Sequence, residues 1–216
     1  MCDYHRTTRK DFVLEAVNSA LSQTLRDDMY EVIVVKNFED SVIDSSLDRL
    51  GVRSIVSREV QVGAKIREGV NLAQNTLITF LEDDDLYAPE RLEAVAQAFA
   101  DDGVGYYHNS QTHIDRYGRE IQATHPDPTH PKQIKVSNQV KHQVFRSRLN
   151  SEAYANTSSI AISKDVLLPW ESQLSKIRRA PDLFIFLCAV TNSFKINRFK
   201  WIYAIWGYRR AEKLFT

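Results

Sequence analysis

The chain alternates between two hydrophobic patterns. Apolar residues at helical spacing predict amphipathic helices, and short uninterrupted apolar runs predict buried strands. The first helix follows Asp11 and places Phe12, Val13, Ala16 and Val17 on one face. In chain order the pattern predicts a helix ending near residues 23–24, a strand at 32–35, a helix at 41–50, a strand at 53–57, a helix at 63–73, a strand at 77–81, a helix at 89–100, a strand at 104–109, a turn at 117–118, a strand at 156–162 and a helix through residue 190.

A cluster of acidic residues follows the strand at 77–81. Glu82, Asp83, Asp84 and Asp85 are consecutive, and Pro89 stands at the first position of the next helix. Negative charges this close repel one another, so some would protonate unless a cation shares the site. Carboxylate oxygens suit Mg²⁺ or Mn²⁺. A solvated acidic loop that caps the helix explains the same spacing, and the spacing alone leaves both interpretations open.

Composition describes an ordinary globular chain. Its 216 residues suit one α/β domain with a full core, with 43% hydrophobic and 26% charged residues. The 28 basic and 28 acidic side chains balance, so no global field attracts nucleic acid or an anionic membrane. Cys2 and Cys188 are far apart, which argues against a disulfide framework or a zinc site. With no apolar run long enough to span a bilayer and no visible signal peptide, we expect a cytoplasmic protein.

The second half of the chain carries less pattern. Residues 122–150 are rich in histidine, proline and basic residues at irregular spacing, which is typical of a functional lid or binding loop. Residues 194–215 mix aromatic and basic side chains, and this mixture fits either core packing or a peripheral contact with a membrane surface.

Three segments resemble the family 2 glycosyltransferases of the GT-A fold. Residues 80–92 are similar to that family's FLDxDDxxxPxxL signature, residues 4–6 and 12–24 to its YNR…fLxeaLxSvlxQt segment, and residues 31–35 to its EiIVVdd strand. The resemblance implies an α/β fold with a Rossmann-like, mostly parallel central sheet flanked by helices, and a smaller, mixed acceptor-side sheet with a long loop. It implies a single domain over residues 1–216, with a nucleotide-sugar half at 1–115 and an acceptor half at 116–216.

The resemblance also implies a reaction, the transfer of a sugar from a nucleotide-diphosphate donor to an acceptor hydroxyl with inversion. Asp84, helped by Asp85 or Glu82, would hold Mn²⁺ or Mg²⁺ against the donor phosphates, and Asp83 would face the ribose or the sugar. Asp182 occupies the place of the family's catalytic base, although Pro181 replaces its usual acidic neighbour. An aspartate in the first turn of a helix is stabilised by the helix dipole without any catalytic role.

The donor-binding residues carried over from the family are Tyr4, Asn37, Lys65 and Arg67. Tyr4 would lie against the nucleotide base, or is simply a packed ring. Lys65 and Arg67 would contact the diphosphate, or belong to the exposed face of a helix. Lys36 and Asn37 stand where the family usually has aspartates that recognise uridine, so both a UDP-sugar and a GDP-sugar remain open as donor.

Other departures from the family leave alternatives open. The family normally opens with a buried strand, but only residues 1–3 precede Tyr4, so either the start is truncated or another segment fills that place. Ala211 replaces a histidine that can complete the metal site. A catalytically inactive nucleotide-binding module and a sugar-phosphate nucleotidyltransferase are therefore alternatives. A phosphatase is not favoured, because the sequence does not carry the later motifs of that class. The expected acceptor is a glycan, a lipid-linked molecule or a protein, and no nucleic acid.

Overall fold

The computed structural model describes residues 10–100, 104–115, 117–122, 134–135, 154–192 and 200–210. Its helices follow the apolar periodicity of the sequence, with bounds shifted by one or two residues from those predicted. The helices are α1 (Lys10–Leu21), α2 (Ser41–Arg49), α3 (Val62–Leu72), α4 (Arg91–Phe99), α5 (Lys164–Leu167), α6 (Glu171–Leu174) and α7 (Pro181–Asn192), with short 3-10 turns at Asp27–Met29, Thr157–Ser159 and Leu168–Trp170.

The described strands form two sheets. In the first, β1 and β2 pair in parallel, and in the second β3, β8, β5, β9 and β4 lie side by side in that order, with β6 added to β5 and β7 to β9. The second sheet is mixed, since β5 and β9 are parallel and the other pairs are antiparallel. The strands are β1 (Ile33–Lys36), β2 (Arg53–Val56), β3 (Leu77–Thr79), β4 (Asp85–Leu86), β5 (Tyr106–Ile114), β6 (Glu120–Gln122), β7 (Ile134–Lys135), β8 (Ile160–Ser163) and β9 (Lys200–Arg210).

This architecture confirms the predicted α/β class, with parallel pairing, helices against the sheets and a mixed sheet. The turn predicted at 117–118 joins β5 to β6, and Gly118 occupies it with a φ of 76°, where a side chain would be strained. Residues 4–6, which carry part of the family resemblance, and most of the loop predicted at 122–150 lie outside the described residues.

The main core joins α7 to the mixed sheet. Tyr106 of β5 is fully buried and meets the ring of Phe186 edge-on at 5.7 Å between centroids. Residues from α3, β3, β8 and α5 complete this cluster. A second cluster packs α1 and α2 against β1. Phe80, just before the acidic residues, packs against the main core, whereas Leu81 and Tyr87 on either side of them pack with Ala20 of α1 in a further cluster.

Candidate functional site

Three of the four consecutive acidic residues converge. Glu82, Asp84 and Asp85 each offer a carboxylate oxygen, and these oxygens lie within 4.8 Å of one another. Asp85 is the first residue of β4, whose backbone pairs with β9, and it is only 1% exposed. Asp83 is also buried, and it lines a neighbouring cavity. The residues suggested as metal ligands from the sequence are thus the ones that the fold brings together.

The donor set of this cluster fits a hard divalent cation. Carboxylate oxygens are the ligands that Mg²⁺ and Mn²⁺ prefer. Three negative groups so close repel one another, and a cation between them would remove that repulsion. Water and substrate phosphates commonly complete such a site, so three carboxylates suffice.

A segment from the other half of the chain fixes the acidic loop. Asn156 donates from Nδ2 to Oδ2 of Asp85 at 2.7 Å, and the backbone N–H of Glu82 donates to Oγ of Ser158 at 2.9 Å. Oδ1 of Asn156 also accepts from the N–H of Ser159 at 3.2 Å, which caps the 3-10 turn at Thr157–Ser159. The acidic loop therefore has both a side-chain and a backbone anchor on the segment before β8.

A buried arginine supports that same segment. Arg91, 1% exposed at the start of α4, donates to the carbonyls of Ser158 and Ile160 at 3.3 Å each. Its guanidinium lies 4.8 Å from the ring centre of Tyr87 and 5.6 Å from that of Tyr107. The aromatic faces stabilise the buried positive charge. Arg91 thus ties α4, which follows the acidic loop, to the beginning of β8.

A buried histidine holds the other end of the segment. Nε2 of His108 donates to the carbonyl of Ala155 at 2.9 Å, and Nε2 of Gln111 donates to the same oxygen at 2.6 Å. Because a carbonyl only accepts, the His108 proton is on Nε2. Burial, opposed by this hydrogen bond and reinforced by the charge of Arg91, lowers the pKa of His108 to about 3. His108 is consequently neutral at physiological pH and acts here as a fixed donor.

A largely apolar cavity of about 360 Å³ lies beside the acidic loop, among α1, β1, α3 and β3. Lys65, Glu82 and Asp83 are among its polar lining residues, and Lys65 is buried. Arg67, two positions further along α3, forms an ion pair with Glu59 at 3.7 Å. Lys65 thus lines the same cavity as Glu82 and Asp83, and the donor-binding roles of Lys65 and Arg67 stay predictions.

The departure at Lys36 has a structural explanation. Lys36, at the end of β1, is 1% exposed, and its Nζ lies 2.8 Å from both Oδ1 of Asp44 and the carbonyl of Phe38. The side chain that replaces a family aspartate is therefore part of an internal ion pair. Asn37, the next residue, is partly buried. Tyr4 lies outside the described residues.

Asp182 lies in the first turn of α7, after Ala180 with a φ of 51° and Pro181. Its Oδ1 accepts from the N–H of Leu183 at 2.9 Å. Burial, and then the negative charge of Asp182, raises the pKa of Tyr106 well above its usual value. Asp182 is therefore close enough to β5 to act electrostatically on it, and its catalytic role stays a prediction.

The sequence interpretation missed Asn156, Arg91 and His108. Asn156 was only the first residue of a predicted strand, and Arg91 was only part of a motif. Nothing local indicates these contacts, because Asn156 and Asp85 are 71 positions apart in the chain.

The chain is similar in sequence to a protein family and in structure to a solved protein. The model of a family described as Glycosyl transferase family 2 matches residues 4–167. Residues 1–349 of TarS from S. aureus superpose with a TM-score of 0.68 at 14% identity, covering 97% of this chain and 58% of that one. The same fragment in complex with UDP-GlcNAc superposes at 0.67 and 13% identity, covering 95% and 56%. The chain thus spans little more than half of those fragments. No curated protein sequence matches it.

Proposed function

The chain belongs to glycosyl transferase family 2, and we propose that it transfers a sugar from a nucleotide-diphosphate donor to an acceptor hydroxyl, with inversion and with the help of a divalent cation. The convergence of Glu82, Asp84 and Asp85 beside a cavity that Lys65 and Asp83 help to line carries this proposal. The likeness to TarS supports the GT-A fold on which such a site is built.

Glu82, Asp84 and Asp85 would hold the cation, either Mn²⁺ or Mg²⁺. When bound, such a cation neutralises the charge that develops on a departing diphosphate. The chain's contribution is to keep the three carboxylates in place, through the N–H of Glu82 on Ser158 and the amide of Asn156 on Asp85.

The donor would lie on the side of Asp83 and Lys65. Asp83 would accept hydrogen bonds from ribose or sugar hydroxyls, and Lys65 and Arg67 would attract the diphosphate. Since Lys36 forms an ion pair with Asp44, Asn37 would hydrogen-bond the nucleotide base, and the ring of Tyr4 would stack on that base. The TarS fragment was crystallised with UDP-GlcNAc, which supports a UDP-sugar ahead of a GDP-sugar.

Asp182 would act as the general base. Its carboxylate would take the proton of the acceptor hydroxyl while that oxygen attacks the anomeric carbon from the face opposite the leaving group, which gives inversion. Asp182 lies in the first turn of α7, near enough to β5 to act on Tyr106, and in the half of the chain, residues 116–216, that we propose to bind the acceptor. The acceptor would be a glycan, a lipid-linked molecule or a protein.

The proposal also covers the location of the protein and its contact with a membrane. Among the residues that the structure describes, no helix combines the length and the hydropathy needed to cross a bilayer. A cytoplasmic location with peripheral membrane contact is the corresponding hypothesis.

A thermal-shift panel tests the proposal. UDP, GDP, CMP and dTDP are each added with and without Mn²⁺ to the wild type and to Asp84→Ala. A ligand at 100 times its Kd stabilises the folded state by about 2.7 kcal/mol, which raises Tm by roughly 5–10 °C for a chain of this size. We expect this shift with one nucleoside diphosphate, only with Mn²⁺, and not in Asp84→Ala. A shift that is the same with and without Mn²⁺ would contradict metal assistance, and no shift with any of the four nucleotides would contradict binding of a nucleotide-sugar donor.

A further inference from the structure

Asn156 lies between the acidic loop and the 3-10 turn that precedes β8. It is 7% exposed, and its partner Asp85 is 1% exposed. The amide contacts the acidic loop on one side and the 3-10 turn at Thr157–Ser159 on the other. A buried amide between a candidate ligand and a rigid turn has a defined orientation, and that orientation determines what it can do.

The hydrogen bonds identify which end of the amide faces Asp85. Oδ1 of Asn156 is the acceptor for the backbone N–H of Ser159 at 3.2 Å and for its hydroxyl at 3.1 Å. A backbone N–H can only donate, so the oxygen must lie on that side and Nδ2 must face Asp85. The Nδ2 to Oδ2 distance of 2.7 Å is that of a strong, charge-assisted hydrogen bond.

The segment that carries Asn156 is itself held from both ends. His108 and Gln111 donate to the carbonyl of Ala155, and Arg91 donates to the carbonyl of Ser158. The amide is therefore presented to Asp85 by a backbone that has little freedom to move. Its hydrogen bond restricts rotation of the Asp85 carboxylate about its last side-chain bond.

We propose that Asn156 is a positioning residue, which holds the Asp85 carboxylate in the orientation from which it ligates the divalent cation. The proposal rests on the proposed function, because it presumes that Asp85 is a ligand. Residues that hydrogen-bond a ligating carboxylate typically change metal affinity by about 10–100-fold when they are replaced. Neither the family match nor the shape of the acidic cluster assigns this role to Asn156.

The competing explanation is that Asn156 serves only as a helix cap. Serine and asparagine are both good caps, so Asn156→Ser retains an oxygen for the N–H of Ser159. The serine side chain is too short to reach Asp85. A capping role therefore predicts wild-type behaviour for Asn156→Ser, whereas a positioning role predicts that it behaves like Asn156→Ala.

The test is Mn²⁺ binding in the absence of nucleotide, with free and bound Mn²⁺ measured by electron paramagnetic resonance. We expect Asn156→Ser and Asn156→Ala to raise the Kd for Mn²⁺ by about 10–100-fold and to change the spectrum of the bound ion. Asn71→Ser is the matched control, because Nδ2 of Asn71 donates to a carboxylate oxygen of Glu171 at 3.0 Å on the exposed surface. Its Kd should equal that of the wild type.

A double-mutant cycle separates positioning from general stability. In an Asp85→Ala background, Asn156→Ser should cause no further loss of affinity, because the group that it orients is gone. If Asn156→Ala fails to fold, Asn156→Ser carries the test. Its thermal unfolding curve then establishes that it is folded at the temperature of the binding experiment. An unchanged Kd in Asn156→Ser, or an equal loss with and without Asp85, would overturn this proposal alone. A wild type that binds no Mn²⁺ would overturn metal assistance and this proposal together.

Discussion

Acidification should destabilise the fold through His108. The side chain is buried, neutral and donates to Ala155, and its pKa is lowered from 6.5 to about 3. The unfolded chain therefore binds more protons than the folded chain between these two pH values, so stability falls as the pH falls. The contribution of His108 is fully present above its unfolded pKa and is lost progressively below it.

The expected magnitude follows from the size of the shift. Lowering the pH from 7 to 5 protonates His108 in the unfolded chain but not in the folded chain. The lower pH lies about 1.5 units below the pKa of His108 in the unfolded chain. At about 1.4 kcal/mol per unit this is a loss of about 2 kcal/mol of unfolding free energy. Exposed carboxylates contribute little over this interval, since their ordinary pKa values lie lower.

Urea unfolding at pH 7 and pH 5 measures this loss, with His108→Gln as the comparison. The glutamine amide can still donate to Ala155 but does not titrate. We expect the wild type to lose about 2 kcal/mol more than the variant between the two pH values. Equal pH dependence in the two proteins would refute the assignment of His108 as a buried neutral donor.

Two further predictions concern packing and the internal ion pair. Gly63→Ala should lower the free energy of unfolding by more than the usual cost of overpacking, which is about 1–3 kcal/mol, because the new Cβ would overlap the carbonyl of Leu174. Gly69→Ala, whose Cβ would meet only a side-chain methyl at 3.2 Å, should cost clearly less in the same urea assay. Asp44→Ala should destabilise by about 3 kcal/mol, because it leaves the ammonium of Lys36 buried without its partner, while Lys36→Met should cost less. Equal losses in either pair, measured by urea unfolding, would contradict the structural explanation for that pair.

The order of helices and strands was predictable because each element carries its own hydrophobic pattern. The strand predicted at 104–109 extends to Ile114, beyond the apolar part. Residues 109–113 are polar, but β9 pairs with β5 in parallel up to Ile114, with one irregularity after Ser110. Pairing with a distant strand compensates for weak local preference, and a single local window does not contain that information.

The acidic cluster was predictable because its members are consecutive, whereas its support was not. Asp85 begins a two-residue strand, although carboxylates are depleted in strands, because β9 supplies the partner backbone. From the sequence, Lys36 left the donor nucleotide open, and only the structure shows that its buried ammonium pairs with Asp44, whose side chain is 35% exposed. Asn156 and Arg91 act through contacts that join separated parts of the chain, and only the folded structure brings those parts together.

The most direct measurement of the central claim is the release of nucleoside diphosphate from UDP-sugars and GDP-sugars in the presence of Mn²⁺, with water taking the sugar in place of the acceptor hydroxyl and Asp182 taking the proton of that water. The wild type is compared with Asp84→Ala and Asp182→Asn, each with its folding confirmed by circular dichroism. We expect Mn²⁺-dependent release with one donor class in the wild type, and a loss of at least about 100-fold when the metal ligand or the base is removed. Release that is unchanged in both variants, or no release from any donor by a folded wild type, would contradict the proposed glycosyl transfer.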